Sequence, residues 1–464
     1  MLPLALRMLP ALLLLVSEAR AQARLVNGLG ELGEPSSVAL VQGAVPEDGF
    51  LVCSGVLVGC DAVLTTAHCF NTNVAQKTHV YVPHAGFVAI ESATRHPAYV
   101  DALTNQPPGW IDTTREDDIS FVKLARAVTG VTPSRIPTAP PPPDGTAGFV
   151  VGFGRDPVTE SGVQNPGIKR SGDMVLGPCA EAPLQGLDLL CWEPANPLPP
   201  PGEEVSTCAA DSGGPLFVGS GIARVVAGIT KGAIFDPQGQ PDPCLPPVHP
   251  YDVNVHRHRE WLVGSSGTGG IVASTGAFPL DTVQCGALGQ LPEPMAPPSG
   301  CDGAPWGHGE PARACGFQGT LDAGSPEARY AFEVPVGTDT LRVALNGVAT
   351  SLGGIDSDLY LRHGQLAQIA ANDCAANGSG TLGFCQITDP SAGTWHVLVD
   401  QADGEGDHQV VVSLFVRSVA AAPLEVPGLS PGRGVACAAL ALAAALGASR
   451  ARRGQEAARA SDSP

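Results

Sequence analysis

The chain has 464 residues, 44% hydrophobic and only 15% charged, which excludes a globally disordered protein. Its net charge of −19 speaks against a nucleic-acid partner, because a phosphate backbone calls for a basic face. With 57 Gly, 44 Pro and 13 Cys, the composition points to short strands, many turns and disulfides formed in an oxidising compartment.

Residues 1–23 read as an export signal. Arg7 precedes an apolar run over 8–16, and Ala19-Arg20-Ala21 or Ala21-Gln22-Ala23 offers a small-residue cleavage site. That run is too short for a span, which needs about 20 residues. From residue 25 to 263 the pattern is one of short strands between turns, at 51–58, 62–64, 79–82, 119–124, 149–151 and 225–229. Pro-rich stretches at 140–143 and 197–201 mark loops.

Three motifs in this segment carry chemistry, and their order matters. Leu64-Thr65-Thr66-Ala67-His68-Cys69 ends a strand on a His. Asp118-Ile119-Ser120-Phe121 opens a strand with an Asp, beside Asp117, which reads as a solvated charge. Cys208-Ala209-Ala210-Asp211-Ser212-Gly213-Gly214-Pro215 places a Ser in a Gly-rich turn. A serine hydroxyl is a poor nucleophile unless an imidazole takes its proton and a carboxylate holds that imidazole in one tautomer.

On these motifs, residues 25–263 resemble the trypsin/chymotrypsin family of serine proteases. The resemblance implies two six-stranded antiparallel barrels, with His68 as general base, Asp118 as its orienting partner and Ser212 as nucleophile. It implies an oxyanion hole from the N–H groups of Ala210 and Ser212, with Ala210 where the family has Gly. If that position needs a positive φ, the extra Cβ costs about 1–2 kcal/mol. Ser206 would line the primary pocket where an Asp would select Arg or Lys, so an apolar or small residue is expected before the scissile bond. Lys231, on the other pocket wall, would repel basic side chains. Arg24-Leu25-Val26-Asn27-Gly28 resembles the zymogen junction. Cleavage after Arg24, a one-residue propeptide remnant, by another protease or by self-cleavage, would free the Leu25 amine to pair with Asp211. The family's bridges imply Cys53–Cys69, Cys179–Cys191 and Cys208–Cys244. Two functional readings stand: a serine endopeptidase acting on polypeptides without a cofactor or metal, or a non-catalytic protease-fold surface protein whose oxyanion hole is impaired by Ala210.

Residues 264–314 are rich in Gly, Pro and Ser and read as a linker stapled by cysteines. Over 315–418 the pattern becomes strict alternation. Tyr330, Phe332 and Val334 share a face, as do Leu341, Val343 and Leu345, then Leu359 and Leu361, then Trp395, Val397 and Val399. With turn signals at Asn346-Gly347 and Asn377-Gly378, this predicts half-buried antiparallel strands in a β-sandwich. The stretch resembles the bacterial pre-peptidase C-terminal domain through Tyr330-Ala331-Phe332-Glu333-Val334-Pro335, Asp356-Ser357-Asp358-Leu359-Tyr360-Leu361 and Ser391-Ala392-Gly393-Thr394-Trp395. Some relatives in that family bind calcium. Asp356 and Asp358 are either a ligand fragment or a turn that satisfies its own backbone.

Cys374–Cys385 is expected to close one hairpin, and Cys60, Cys285, Cys301 and Cys315 remain an even set with three pairings. Residues 419–464 read as a surface tail, with an apolar helix at 435–448 containing Cys437, followed by Arg450, Arg452 and Arg453. Membrane contact is expected through this tail. Its layout resembles the sorting tails of exported bacterial proteins, which implies a bacterial, secreted or cell-surface protein.

Overall fold

The computed structural model describes residues 25–31, 34, 36–42, 50–70, 78–100, 115–155, 166–220, 224–235, 242, 244–265, 292–294, 314–347 and 356–417. The export signal, Arg24, Cys285, Cys301, Cys437 and the tail lie outside these residues, as does the Cys315 side chain. Among the described residues no helix is long and apolar enough to cross a membrane.

The fold is all-β. A short β1 (Leu29–Gly30) precedes the strands of the first barrel, β2 (Ser37–Gln42), β3 (Phe50–Gly59), β4 (Ala62–Thr65), β5 (His79–Val82), β6 (Gly86–Arg95) and β7 (Ser120–Leu124). These close in the order β2-β3-β4-β7-β6-β5. The second barrel follows with β8 (Ala147–Gly152), β9 (Arg170–Gly177), β10 (Leu189–Trp192), β11 (Pro215–Val218), β12 (Val225–Phe235) and β13 (Val248–Asn254). Its strands run β9-β10-β13-β12-β11-β8, the β8–β9 pairing closes the ring, and β1 adds to β9. Helix α1 (Arg259–Ser265) follows β13.

Strand periodicity explains how the barrels meet. On β3, Leu57 faces the first-barrel core with Val63, Val80 and Val122. Its neighbours Val56 and Val58 face the other way, into a layer shared with Phe149, Val151, Phe217 and Val253 of the second barrel. Each such side chain contributes about 1.5–3 kcal/mol on full burial. This shared layer fixes one barrel against the other and so holds the segments between them in register.

The sandwich comprises β14 (Pro292–Pro294), β15 (Ala314–Leu321), β16 (Glu327–Val334), β17 (Thr340–Gly347), β18 (Asp356–His363), β19 (Cys374–Ala376), β20 (Leu382–Thr388), β21 (Gly393–Asp403) and β22 (Gly406–Arg417). One sheet runs β14-β22-β17-β20 with β15 also on β22, and the other runs β16-β21-β18-β19. The alternating residues expected to share faces meet in one core, joined by Val410, Val412 and Leu414.

Three expectations are corrected here. The stretch read as linker contributes a strand, β14, paired along β22. Asn346-Gly347 is no turn: Asn346 is buried at the end of β17 and donates to Gln409 Oε1 at 2.6 Å. The Cys374–Cys385 bridge does not close a hairpin, because β19 pairs with β18 and β20 with β17. It staples the two sheets together.

β17 departs from half-burial as well, being buried along its whole length. The barrels and sandwich belong to one compact unit ending at Arg417, and the outer face of β17 is covered by the first barrel. Ala344, Leu382 and Val411 of the sandwich join Val41, Leu51 and Tyr81 of the barrel in one apolar cluster. The Tyr81 hydroxyl is shared between the carbonyls of Leu345 (3.0 Å) and Gly383 (3.2 Å). Arg342 reaches back to the carbonyls of His84 (2.8 Å) and Thr129 (2.7 Å). Gly86 and Gly130, both at φ +77°, leave room for the Phe384 and Phe415 rings, where a Cβ would come within 2.5 Å.

Candidate active site

His68 sits in a 3-10 turn (Ala67–Phe70) directly after β4, with Cys69 bonded to Cys53 on β3. Asp118 lies two residues before β7, and β7 pairs with β4 so that Thr65 faces Ser120. Neighbouring strands therefore bring the His and the Asp together. The buried Asp118 carboxylate holds the histidine twice. Oδ1 accepts the His68 backbone N–H (2.8 Å) and Oδ2 lies 2.8 Å from His68 Nδ1.

Ser212 is carried by the turn before β11. Its carbonyl accepts the Ser54 N–H at 2.9 Å and lies 3.8 Å from Cys69 Sγ, which seats the turn against the His68 segment. Gly213, at φ +89°, donates to Thr230 O on β12 (2.8 Å). A Cβ there would meet Thr65 Oγ1 at 2.0 Å and Ser54 O at 2.2 Å, so only glycine allows this approach. The Asp211 carboxylate is buried and accepts the N–H groups of Gly154 (2.8 Å) and Cys208 (2.9 Å).

The residues expected around this centre fall as follows. Ala210 is half-buried at φ +73°, so the left-handed conformation on which the cost depended is present. Its carbonyl accepts the Ser54 hydroxyl at 2.9 Å, and Ser54 Oγ in turn accepts the Phe153 N–H at 3.0 Å. An Ala210→Gly variant is expected to gain about 0.5–1 kcal/mol of stability in urea unfolding. Ser206 is fully buried, and its N–H donates to Val26 O at 3.1 Å. Leu25 is buried in the second-barrel core with Val150, Trp192 and Leu216. Asn27 ties the same segment to the carbonyls of Pro199, Pro200 and Glu203. The bridges Cys53–Cys69, Cys179–Cys191 and Cys208–Cys244 are formed, and Cys60 is also disulfide-bonded.

Two readings change. Asp117 is not simply a solvated charge. It is half-buried beside His96 (3.4 Å), His258 (3.9 Å) and Arg257 (3.8 Å). Lys231 does more than flank a pocket: its Nζ lies 2.9 Å from Asp118 Oδ2, the oxygen that faces His68. The signal available in the sequence was a lone cation within the apolar run of β12. Burial alone would raise the Asp118 carboxyl, but the His68 imidazole and the Lys231 ammonium hold it well below the usual carboxylate range. A further buried acid, Asp252 on β13, was not anticipated. Burial pushes its carboxyl well up, the adjacent Thr230 offsets this in part, and Asp211 adds to the rise.

In the sandwich, Asp358 Oδ2 accepts the Tyr360 hydroxyl at 2.8 Å, and neither Asp356 nor Asp358 joins a cluster of three metal-ligating atoms among the described residues. Both aspartates lie on strand β18 and not in a turn.

Residues 34–251 match the family model described as Trypsin, and residues 326–401 match that of the Bacterial pre-peptidase C-terminal domain. Snake venom serine protease catroxase-2 of Crotalus atrox is 29% identical over 217 residues, covering 44% of this chain and 77% of that protein. Platelet-aggregating proteinase PA-BJ of Bothrops jararaca is 29% identical over 202 residues, 41% of this chain and 76% of that protein. Among solved structures, neuropsin, a serine protease expressed in the limbic system of mouse brain, aligns with a TM-score of 0.39 and 22% identity. That alignment covers 51% of this chain and 98% of the other. Two family models thus match this chain in tandem, the trypsin model over 34–251 and the bacterial pre-peptidase C-terminal model over 326–401.

Proposed function

We propose that this protein is an exported serine endopeptidase that cleaves polypeptides through an acyl-enzyme. The observation that carries the reading is the double grip of Asp118 on His68. With Asp118 accepting from Nδ1–H, the other ring nitrogen is left free to take the Ser212 proton as Oγ attacks the scissile carbonyl. The N–H groups of Ala210 and Ser212 would receive the charge that develops on the carbonyl oxygen. His68 then returns the proton to the leaving amine, and water repeats the sequence on the acyl group. Four described disulfides support export.

Activation follows from cleavage after Arg24. The burial of Leu25, the Val26–Ser206 bridge and the enclosed Asp211 carboxylate support a latch that orders the Ser212 turn. With Ser206 uncharged in the pocket, substrates with an apolar or small residue before the cut are expected. The positive φ of Ala210 favours a second reading, a surface-binding protein without turnover. Labelling the Arg24-processed protein with a fluorophosphonate separates them. Labelling that disappears in Ser212→Ala supports the peptidase, whereas folded, processed wild type that takes no label refutes it.

A further inference from the structure

Resting on the peptidase reading, we propose that Lys231 is a positioning residue that offsets the charge of Asp118 and moves the working range of the triad toward acid. Three observations converge. The ammonium and the His68 Nδ1 share one acceptor, Asp118 Oδ2, at 2.9 and 2.8 Å. Lys231 is also placed there by the backbone. In the β12–β13 ladder Thr230 pairs with Asp252 and Gly232 with Tyr251, so Lys231 is the extra residue of a β-bulge. A bulge re-aims a side chain that would otherwise follow the strand's alternation. Finally, the residue before it, Thr230, accepts the Gly213 N–H with its carbonyl and donates its own N–H to Gly214 O, both at 2.8 Å. The strand that clamps the nucleophile turn thus also delivers the cation.

The chemical consequence concerns the imidazolium. When His68 takes the Ser212 proton, a carboxylate alone would stabilise the new positive charge. A carboxylate already paired with an ammonium stabilises it less, so Lys231 weakens the pull of Asp118 on the incoming proton, and the rate is expected to fall off at lower pH than it would with the carboxylate unpaired. A unit charge at this range moves a neighbouring titration by about one to three units.

Other groups around the centre do not supply this effect. Asp117, ahead of β7, is engaged with His96, His258 and Arg257. Asp211 takes backbone N–H groups, and Asp252, across from Thr230, is held toward its neutral form. Among the described residues, Lys231 is the cation within 4 Å of the Asp118 carboxylate.

The test is the pH dependence of the fluorophosphonate labelling rate in full-length, Arg24-processed protein. Lys231→Met is expected to move the acid limb up by about one unit or more, while Lys231→Arg keeps it near the wild-type position. Lys231→Ser carries the same expectation if the methionine variant does not fold. A purely structural role would lower the rate at every pH and leave the limb where it is. Coincident limbs in wild type and either neutral variant overturn this inference alone. Absence of Ser212-dependent labelling in wild type overturns the peptidase reading and this inference with it.

Discussion

Asp118→Asn is expected to lower kcat by about four orders of magnitude while leaving KM for a peptide substrate within a few-fold. The carboxylate accepts from Nδ1–H of His68, which fixes the tautomer whose other nitrogen is basic. An asparagine that turns its amide N–H to the ring would instead demand a lone pair on Nδ1, placing the proton on the other ring nitrogen, the one proposed to take the Ser212 proton. The base is then already protonated at the wrong atom. Lys231 worsens the substitution, because its ammonium loses the anion 2.9 Å away and has only a neutral amide in exchange. Breaking a buried pair by removing one partner costs about 3–5 kcal/mol, so the midpoint of urea unfolding should fall as well. A double variant, Asp118→Asn with Lys231→Met, should recover part of that stability and none of the activity. A single Asn variant that keeps more than about a tenth of wild-type kcat would contradict the assigned role.

Arg342→Ala is expected to remove about 3 kcal/mol or more from the contact between barrel and sandwich. Its guanidinium donates to His84 O and Thr129 O, to Thr129 Oγ1 at 2.8 Å and to Gln386 Oε1 at 3.0 Å, and it lies over the Phe415 ring at 4.8 Å. Truncation strands two main-chain carbonyls in a buried seam, and an unsatisfied buried group costs about 1–3 kcal/mol. His84 does not take over as a cation. His84 meets Ser413 Oγ at 2.9 Å, and burial, with Lys169 and Arg342 beside it, lowers its pKa to about 3, so it stays neutral. Calorimetry is expected to show one transition in the wild type and a broadened or split one in the variant, as the sandwich unfolds apart from the barrels. An unchanged profile would mean that the apolar cluster around Tyr81 holds the seam unaided.

Much of this arrangement was legible in the sequence because it is written locally. The His, Asp and Ser motifs each sit beside a strand, and the alternation of Phe332, Val334, Leu341 and Val343 gives the inner face of the sandwich directly. The residues that escaped depend on contacts between distant segments. β17 reads as half-buried, yet Arg342 and Ala344 on its other face meet a barrel more than 200 residues earlier in the chain. Lys231 reads as a cation on the pocket wall because alternation gives no sign of a bulge. Asp252 looks like an ordinary charge in a short strand, although its register between Leu190 and Thr230 closes it off from water.

The seat between barrel and sandwich is built largely on peptide groups: Tyr81 addresses the carbonyls of Leu345 and Gly383, and Arg342 those of His84 and Thr129. Every residue type except for its side chain presents the same carbonyl. Sequence drift at those four acceptor positions therefore leaves the carbonyl contacts intact and touches only the Thr129 hydroxyl contact, whereas Tyr81 and Arg342 themselves are constrained. Two modules joined in this way can diverge widely in sequence and still inherit one mutual orientation.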